Sequence, residues 1–317
     1  MPDMDLVPVV DLTDPSSTSL ADLDRACRDH GFFLVAGHGL DDVIARTFDS
    51  ARRFFDAPPN VKDAIRRDGH NPLGYNDREL TKRRRDHKET FDFVDPVDGR
   101  AKHYNRWPDV DGFHDAMVEH YDACSDLAAR ATDLVLAALG LPDHLLDRHR
   151  GDRTTSSMRL NHYTLDDPVP AGERDGLAAL GDVALGHHTD LGLVTMLIQD
   201  DVGGLQAESA EHGWIDVEPR PGTIVVNLGD CMQVWTNDRY RAAVHRVLPM
   251  TTSTRMSIPY FLNPARDATV EPIAEIASGP LRYRGFPFRQ LIDARSADNY
   301  ADTGRPDAQI SDHLVDA

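Results

Sequence analysis

His188-Thr189-Asp190-Leu191-Gly192-Leu193-Val194-Thr195-Met196-Leu197-Ile198-Gln199-Asp200 is the stretch that decides how this chain folds. Leu193, Val194, Met196, Leu197 and Ile198 make an apolar run of strand length, closed by Gln199-Asp200-Asp201. On an extended backbone, residues two apart face the same way. His188 and Asp190 are therefore placed to approach one ion. His187 falls on the opposite face and is expected to stand behind the ligands or on the surface.

Composition alone makes such a triplet cheap. With 15 His and 44 Asp, about two His-x-Asp triplets arise by chance. The other is His120-Tyr121-Asp122. It lies in a helical pattern of Met117, Tyr121, Cys124, Leu127, Ala131, Leu134, Val135 and Ala138. Positions two apart diverge by about 200° on a helix, so that triplet is expected to be solvated helix surface.

A third ligand has to come from a distant strand. His245 follows Arg241-Ala242-Ala243-Val244 and precedes Arg246-Val247-Leu248, a strand-like run. Alone, a histidine there is more often a hydrogen-bonded core residue than a ligand. Together, His188, Asp190 and His245 are the minimal set for holding a ferrous ion on one face, with three positions left for a chelating co-substrate and dioxygen. Ten residues past His245, Arg255-Met256-Ser257 sits in an alternating run from Thr254 to Phe261 that reads as a strand. The Arg255 fork suits a carboxylate, and Ser257 adds a donor on the same face. In isolation an Arg-x-Ser pair reads as a cross-strand surface contact. Arg159, Asn161 and Tyr163 form another same-face set in the run 157–164. Tyr163 serves either as a phenol donor to the co-substrate or as an amphipathic core residue.

The order of these and other segments resembles the isopenicillin N synthase-like family of Fe(II)/2-oxoglutarate-dependent dioxygenases. The matching segments are Val7-Pro8-Val9-Val10-Asp11-Leu12, Gly31-Phe32-Phe33 with His38-Gly39-Leu40, Phe54-Phe55 with Pro58 and Lys62, and Gly74-Tyr75. Lys88-Glu89 with Phe91, Asn105-Arg106-Trp107-Pro108, Asn161-His162-Tyr163, residues 186–197, Gly203-Gly204-Leu205-Gln206, Asn227-Leu228-Gly229-Asp230 and residues 241–247 follow co-linearly. Two departures are Gly37 where the family has Asn, and Thr164 where it has Pro. The resemblance implies a mainly β fold with flanking helices, built on a double-stranded β-helix or jelly-roll core.

Periodicity agrees. Strand-like runs crowd residues 157–261, and helical patterns cover 21–29, 43–55 and 113–139. The expected organisation is one oxygenase domain over 1–317, with a helix-rich N-terminal part at 1–150, a core carrying the metal site at 151–265 and a C-terminal helical extension at 266–317. Residues 165–181 read as an exposed loop, either covering the site mouth or passing over the surface.

A net charge of −19 argues against nucleic acid, which needs clustered cations. The basic run Lys82-Arg83-Arg84-Arg85 is a solvated helix or loop face, or a recruiter of an anionic substrate through Arg83, Arg84 and Arg85. No apolar stretch reaches membrane-span length. Cys27, Cys124 and Cys231 lack zinc-type spacing and fit a reducing cytoplasm. The acidic stretch 298–312 reads as a surface tail or capping helix. A monomer is expected.

The expected activity is hydroxylation, desaturation or ring closure of a small organic metabolite, with Fe(II), 2-oxoglutarate and O2 consumed and succinate and CO2 released. Two alternatives share the fold: an iron oxidase that needs no 2-oxoglutarate, and a non-catalytic metabolite receptor.

Overall fold

Strand alternation sorts the side chains of this chain into two cores. A computed structural model describes residues 6–14, 20–97, 100–147, 149–277, 279–300 and 308–315. Its elements in chain order begin with β1 (Val9–Asp11), α1 (Leu20–Asp29), β2 (Phe32–Ala36), α2 (Asp41–Phe55), α3 (Pro59–Asp63), β3 (Gly74–Asn76), β4 (Leu80–Thr81), β5 (Arg84–Arg85) and β6 (Lys88–Val94). Then come α4 (Phe113–Ala138), β7 (Ser157–Tyr163), β8 (Leu185–His188), β9 (Val194–Gln199), β10 (Leu205–Ser209), β11 (Gly213–Asp216) and β12 (Thr223–Leu228). The chain closes with α5 (Asp230–Trp235), β13 (His245–Val247), β14 (Arg255–Leu262), β15 (Thr269–Val270), β16 (Phe286–Pro287) and α6 (Phe288–Tyr300).

The larger sheet runs β1-β2-β12-β9-β14-β7-β6-β3, and the smaller one β11-β10-β13-β8. Only the β1–β2 pairing is parallel within them. Phe33 and Val35 of β2 join Phe54, Met117 and Tyr121 in the core under the helices. Phe32 and Leu34 point the other way and meet Leu197, Val225, Leu205 and Val247 between the two sheets. Burying each such Phe or Leu contributes about 1.5–3 kcal/mol. A one-residue slip would exchange the two sets, so the register is strongly specified. This is the double-stranded β-helix the sequence implies.

β12 runs over 223–228 as read from the sequence, β7 ends one residue earlier, and β14 is shifted one residue later at both ends. The N-terminal part is less helical than expected, because β1, β2, β3 and β6 complete the larger sheet. β12 and β9 pair in unbroken register from Val225 opposite Leu197 to Leu228 opposite Val194.

Two expectations need correction. His120 is on α4 but fully buried rather than solvated, with Cys124 Sγ 3.5 Å from its Nε2. Burial pushes this imidazole down to about 4. Only Asp122 keeps a partly solvated setting, paired with Arg153 at 2.6 Å. The periodicity placed both on a helix without showing that α4 is packed on more than one side. The run 82–85 is neither helix nor open loop. It is the hairpin of β4 and β5, with Lys82 and Arg83 at its tip at φ 49° and 65°. Two positive φ angles suit a two-residue type I′ turn, which glycine or asparagine normally supplies.

The loop 165–181 holds this hairpin from behind. Gly181 N–H donates to Arg85 O at 2.8 Å, and Arg85 meets both oxygens of Asp167 at 2.8 and 2.7 Å. Of the acidic stretch 298–312, residues 301–307 lie outside the described residues; Asp312 caps the short turn Ile310–His313. No helix among the described residues is long and apolar enough to cross a membrane.

Candidate metal centre

β8 and β13 pair so that His188 and His245 stand directly opposite each other. Their rings lie 4.2 Å apart, centroid to centroid. Each Nδ1–H donates to a backbone carbonyl two residues earlier, Gly186 and Ala243, both at 2.9 Å. That bond leaves the Nε2 lone pair as the ligand atom of each ring. Burial and the neighbouring His245 hold His188 well below its ordinary range, so it is neutral.

Asp190 completes the group. Its Oδ1 lies 3.9 Å from His188 Nε2 and 4.0 Å from His245 Nε2. Its Oδ2 is already used, accepting from Thr195 Oγ1 at 2.6 Å and Asn227 Nδ2 at 2.8 Å. Burial alone would raise this carboxyl; His245, His188 and the two donors hold it below the usual range. All three ligand atoms fall within 4.8 Å of one another. Two imidazoles and one carboxylate, gathered on one side of a cavity, suit a ferrous ion.

The backbone under Asp190 is pinned by glycine. A Cβ on Gly229 would stand 2.3 Å from Gly192 O and 2.9 Å from Asp190 O. The Asp230 N–H donates to Asp190 O at 2.8 Å from the same turn.

The cavity has a volume of about 780 Å³ and is walled by interior-facing residues of β6, β7, β9 and β14. Register sets its rows: Arg255 opposite Tyr163 and Ser257 opposite Asn161. Arg255 is 1% exposed. Its Nη2 donates to Gln199 Oε1 at 2.8 Å, and its guanidinium lies 5.0 Å from the Tyr163 ring centroid. Among the described residues its Nε and Nη1 have no hydrogen-bond partner, nor has Asn161 Oδ1. Leaving buried donors unmet costs about 1–3 kcal/mol each. Such a guanidinium fits the distal carboxylate of 2-oxoglutarate. Asn161 Nδ2 donates to Ser257 Oγ at 3.5 Å, keeping that row together.

Among the other sequence candidates, the basic run is divided by the hairpin. Lys82 lines the cavity and donates from Nζ to His187 Nε2. Arg83 and Arg84 are exposed and lie outside the lining. Arg85 is buried on Asp167 and corrects the expectation of a substrate contact there. His187 also lines the cavity but is outside the His188, Asp190 and His245 group, and its ring meets Lys82 and Trp214.

Sequence reasoning missed a charged wall. Arg159 Nε donates to Asp92 Oδ1 at 2.6 Å, Lys88 Nζ lies 2.9 Å from Glu79 Oε2, and Arg159 Nη1 also reaches Glu79 at 2.9 Å. It also missed Thr195, Asn227 and Gln199, which orient Asp190 and Arg255. The motif Asn227-Leu228-Gly229-Asp230 carried a signal for one of them, without a role.

Fold and site together define a non-haem iron oxygenase of the double-stranded β-helix type. Residues 154–264 match the 2OG-Fe(II) oxygenase superfamily, and residues 7–110 match the N-terminal family described as non-haem dioxygenase in morphine synthesis. A homoarginine-6-hydroxylase of Oryza sativa subsp. japonica is 31% identical over 95% of this chain and 97% of its own length. A full-length Neurospora crassa protein, solved in complex with alpha-KG and thymine, superposes with a TM-score of 0.76 at 25% identity, covering 93% of this chain and 97% of that one. JOX2 in complex with 2OG, Fe and JA gives 0.78 at 25% identity, covering 98% and 89%. The chain belongs to the 2OG-Fe(II) oxygenase superfamily and is a 2-oxoglutarate-dependent oxidoreductase.

Proposed function

We propose that His188, Asp190 and His245 are the ferrous ligands, that Arg255, Ser257, Asn161 and Tyr163 hold 2-oxoglutarate, and that the primary substrate is a small carboxylated metabolite. The observation that carries the co-substrate assignment is the buried Arg255 fork with two unmet N–H-bearing nitrogens. Iron and 2-oxoglutarate, when bound, supply the oxidation of a C–H bond by O2, with succinate and CO2 as co-products. The protein's share is orientation. Thr195 and Asn227 aim the free oxygen of Asp190, the two carbonyl-bound imidazoles present Nε2, and the cavity wall limits water.

Charge supports the substrate class. Glu79 and Asp92 on the cavity wall are engaged by Lys88 and Arg159. Arg266, which also lines the cavity, has no ion pair among the described residues. The surplus charge offered to a substrate is therefore positive. The name of the homoarginine hydroxylase points to a carboxylated substrate of its own. We further assign the whole chain to one oxygenase unit with the parts 1–150, 151–265 and 266–317, working as a cytoplasmic monomer in specialised metabolism.

The test is succinate release with Fe(II), 2-oxoglutarate and pairs of candidate metabolites, each as free acid and methyl ester. Free acids should stimulate succinate formation and their esters should not. Equal stimulation by the esters would overturn the anionic class. Substrate oxidation undiminished without 2-oxoglutarate would overturn the co-substrate assignment in favour of an oxidase.

A further inference from the structure

Arg295 reaches from α6 back to the loop that carries Asp190. Its Nη2 donates to Asp230 Oδ2 at 2.8 Å and its Nη1 to Thr189 O at 3.4 Å. Thr189 is the residue between His188 and Asp190. Asp230 is 2% exposed, and its N–H holds the Asp190 carbonyl at 2.8 Å. One guanidinium thus grips the Asp190 backbone from both sides, directly before it and through Asp230 across it.

The same side chain holds the C-terminal segment. Its Nε donates to Ala308 O at 2.5 Å and its Nη2 to Gln309 Oε1 at 3.1 Å. Ile292, Arg295 and Gln309 are cavity lining. Breaking a buried charge pair strips the partner carboxylate of its counter-ion, and here that carboxylate is Asp230 beside the metal loop, which would keep only the Thr189 hydroxyl. We propose that Arg295 is a positioning residue that couples the C-terminal segment to the metal loop, so that the orientation of Asp190 and the wall supplied by Ile292 and Gln309 are set together. This rests on the reading of His188, Asp190 and His245 as metal ligands.

Partners one step behind a ligand change metal affinity by about 10–100-fold when removed. The experiment titrates the metal-free full chain with Co(II), which reports coordination through its visible spectrum, and records the melting temperature of the metal-free protein alongside. Arg295→Ala is compared with Arg295→Lys and with Leu291→Ala, a buried residue of the same helix that touches neither the loop nor the tail through hydrogen bonds. Arg295→Ala should weaken Co(II) about tenfold, and Arg295→Lys should restore part of it. Leu291→Ala should lower the melting temperature while leaving Co(II) affinity within about twofold. Limited proteolysis should cut the chain beyond residue 300 faster in Arg295→Ala than in Leu291→Ala. Unchanged Co(II) affinity in Arg295→Ala overturns the proposal, as does an equal loss in Leu291→Ala. Absence of Co(II) binding by the unaltered chain would instead strike the ligand assignment.

Discussion

Two arginines face the same cavity from neighbouring strands, and they are treated oppositely. Arg159 is on β7, four residues and about 13 Å along the strand from Tyr163. Its fork is closed by both oxygens of Asp92, at 2.6 and 3.1 Å, and by Glu79. Arg255 pairs across from Tyr163 on β14, is more deeply buried, and among the described residues donates only to the neutral Gln199. A buried charge whose needs are met within the chain is architecture. One whose needs are left open marks where a ligand of opposite charge belongs. The first wall shapes the cavity, and the second is where binding energy becomes available.

The same substitution at both positions sharpens this contrast. Arg159→Met leaves Asp92 and Glu79 short of a partner and should destabilise the fold by about 3 kcal/mol, at the low end for a buried pair because Arg159 is partly exposed to the cavity. Chemical denaturation of the metal-free chain reads it. Arg255→Met removes a guanidinium that Asp200 attracts only through space, without a hydrogen-bonded ion pair among the described residues, and should leave that stability within about 1 kcal/mol. Equal losses in the two variants would erase the distinction.

Co-substrate affinity should move the other way. Arg255→Met should raise the 2-oxoglutarate concentration for half-maximal succinate release about 100-fold, the worth of a charge-assisted two-pronged contact. Arg255→Lys should recover only part, since an ammonium lacks the fork.

Sequence made one end of this contrast visible and hid the other. His188, Asp190, His245, Arg255 and Ser257 sit in or beside strand-like runs whose patterning is written in the residues themselves, so the side on which each stands could be read. Arg159 was grouped correctly with Asn161 and Tyr163, but its partners were not. Glu79 and Lys88 meet through β4 and β5, strands of two residues each that leave no periodic trace. Their turn uses Lys82 and Arg83 at positive φ, against the residue preference that signals such a turn. Arg295 was hidden for another reason: its partners at the metal loop are 65 and 106 residues away.

The charged wall also carries a pH signature. Burial raises the Asp86 carboxyl to about 6, with Glu79 pushing the same way against Lys88. The unfolded value is near 3.9. Between about pH 4 and 6 the folded chain keeps a proton that the unfolded chain has lost, so this group makes stability fall as pH rises through that window. Asp86→Asn should flatten the slope and raise stability above pH 6 by about 1–2 kcal/mol, less than the full shift because Lys88 loses its nearby carboxylate. A steeper slope in the variant would contradict the assignment.

The smallest effect belongs to the hairpin tip. Lys82→Ala should raise the apparent KM of a carboxylated substrate about threefold at low salt and little at high salt. Arg83→Ala with Arg84→Ala should leave it unchanged, since neither lines the cavity. A larger effect from the arginines would return the recruiting role to them.

In the proposed site, His188, Asp190 and His245 hold the iron and the open Arg255 holds 2-oxoglutarate beside it. Anaerobic titration of the metal-free chain with Fe(II) and then 2-oxoglutarate tests it most directly, read as the weak visible metal-to-ligand charge-transfer band of the chelate. The band should appear only with both additions, be absent in Asp190→Ala, require far more 2-oxoglutarate in Arg255→Met, and persist in His187→Ala. A band that survives Asp190→Ala, or one lost in His187→Ala, would contradict the account.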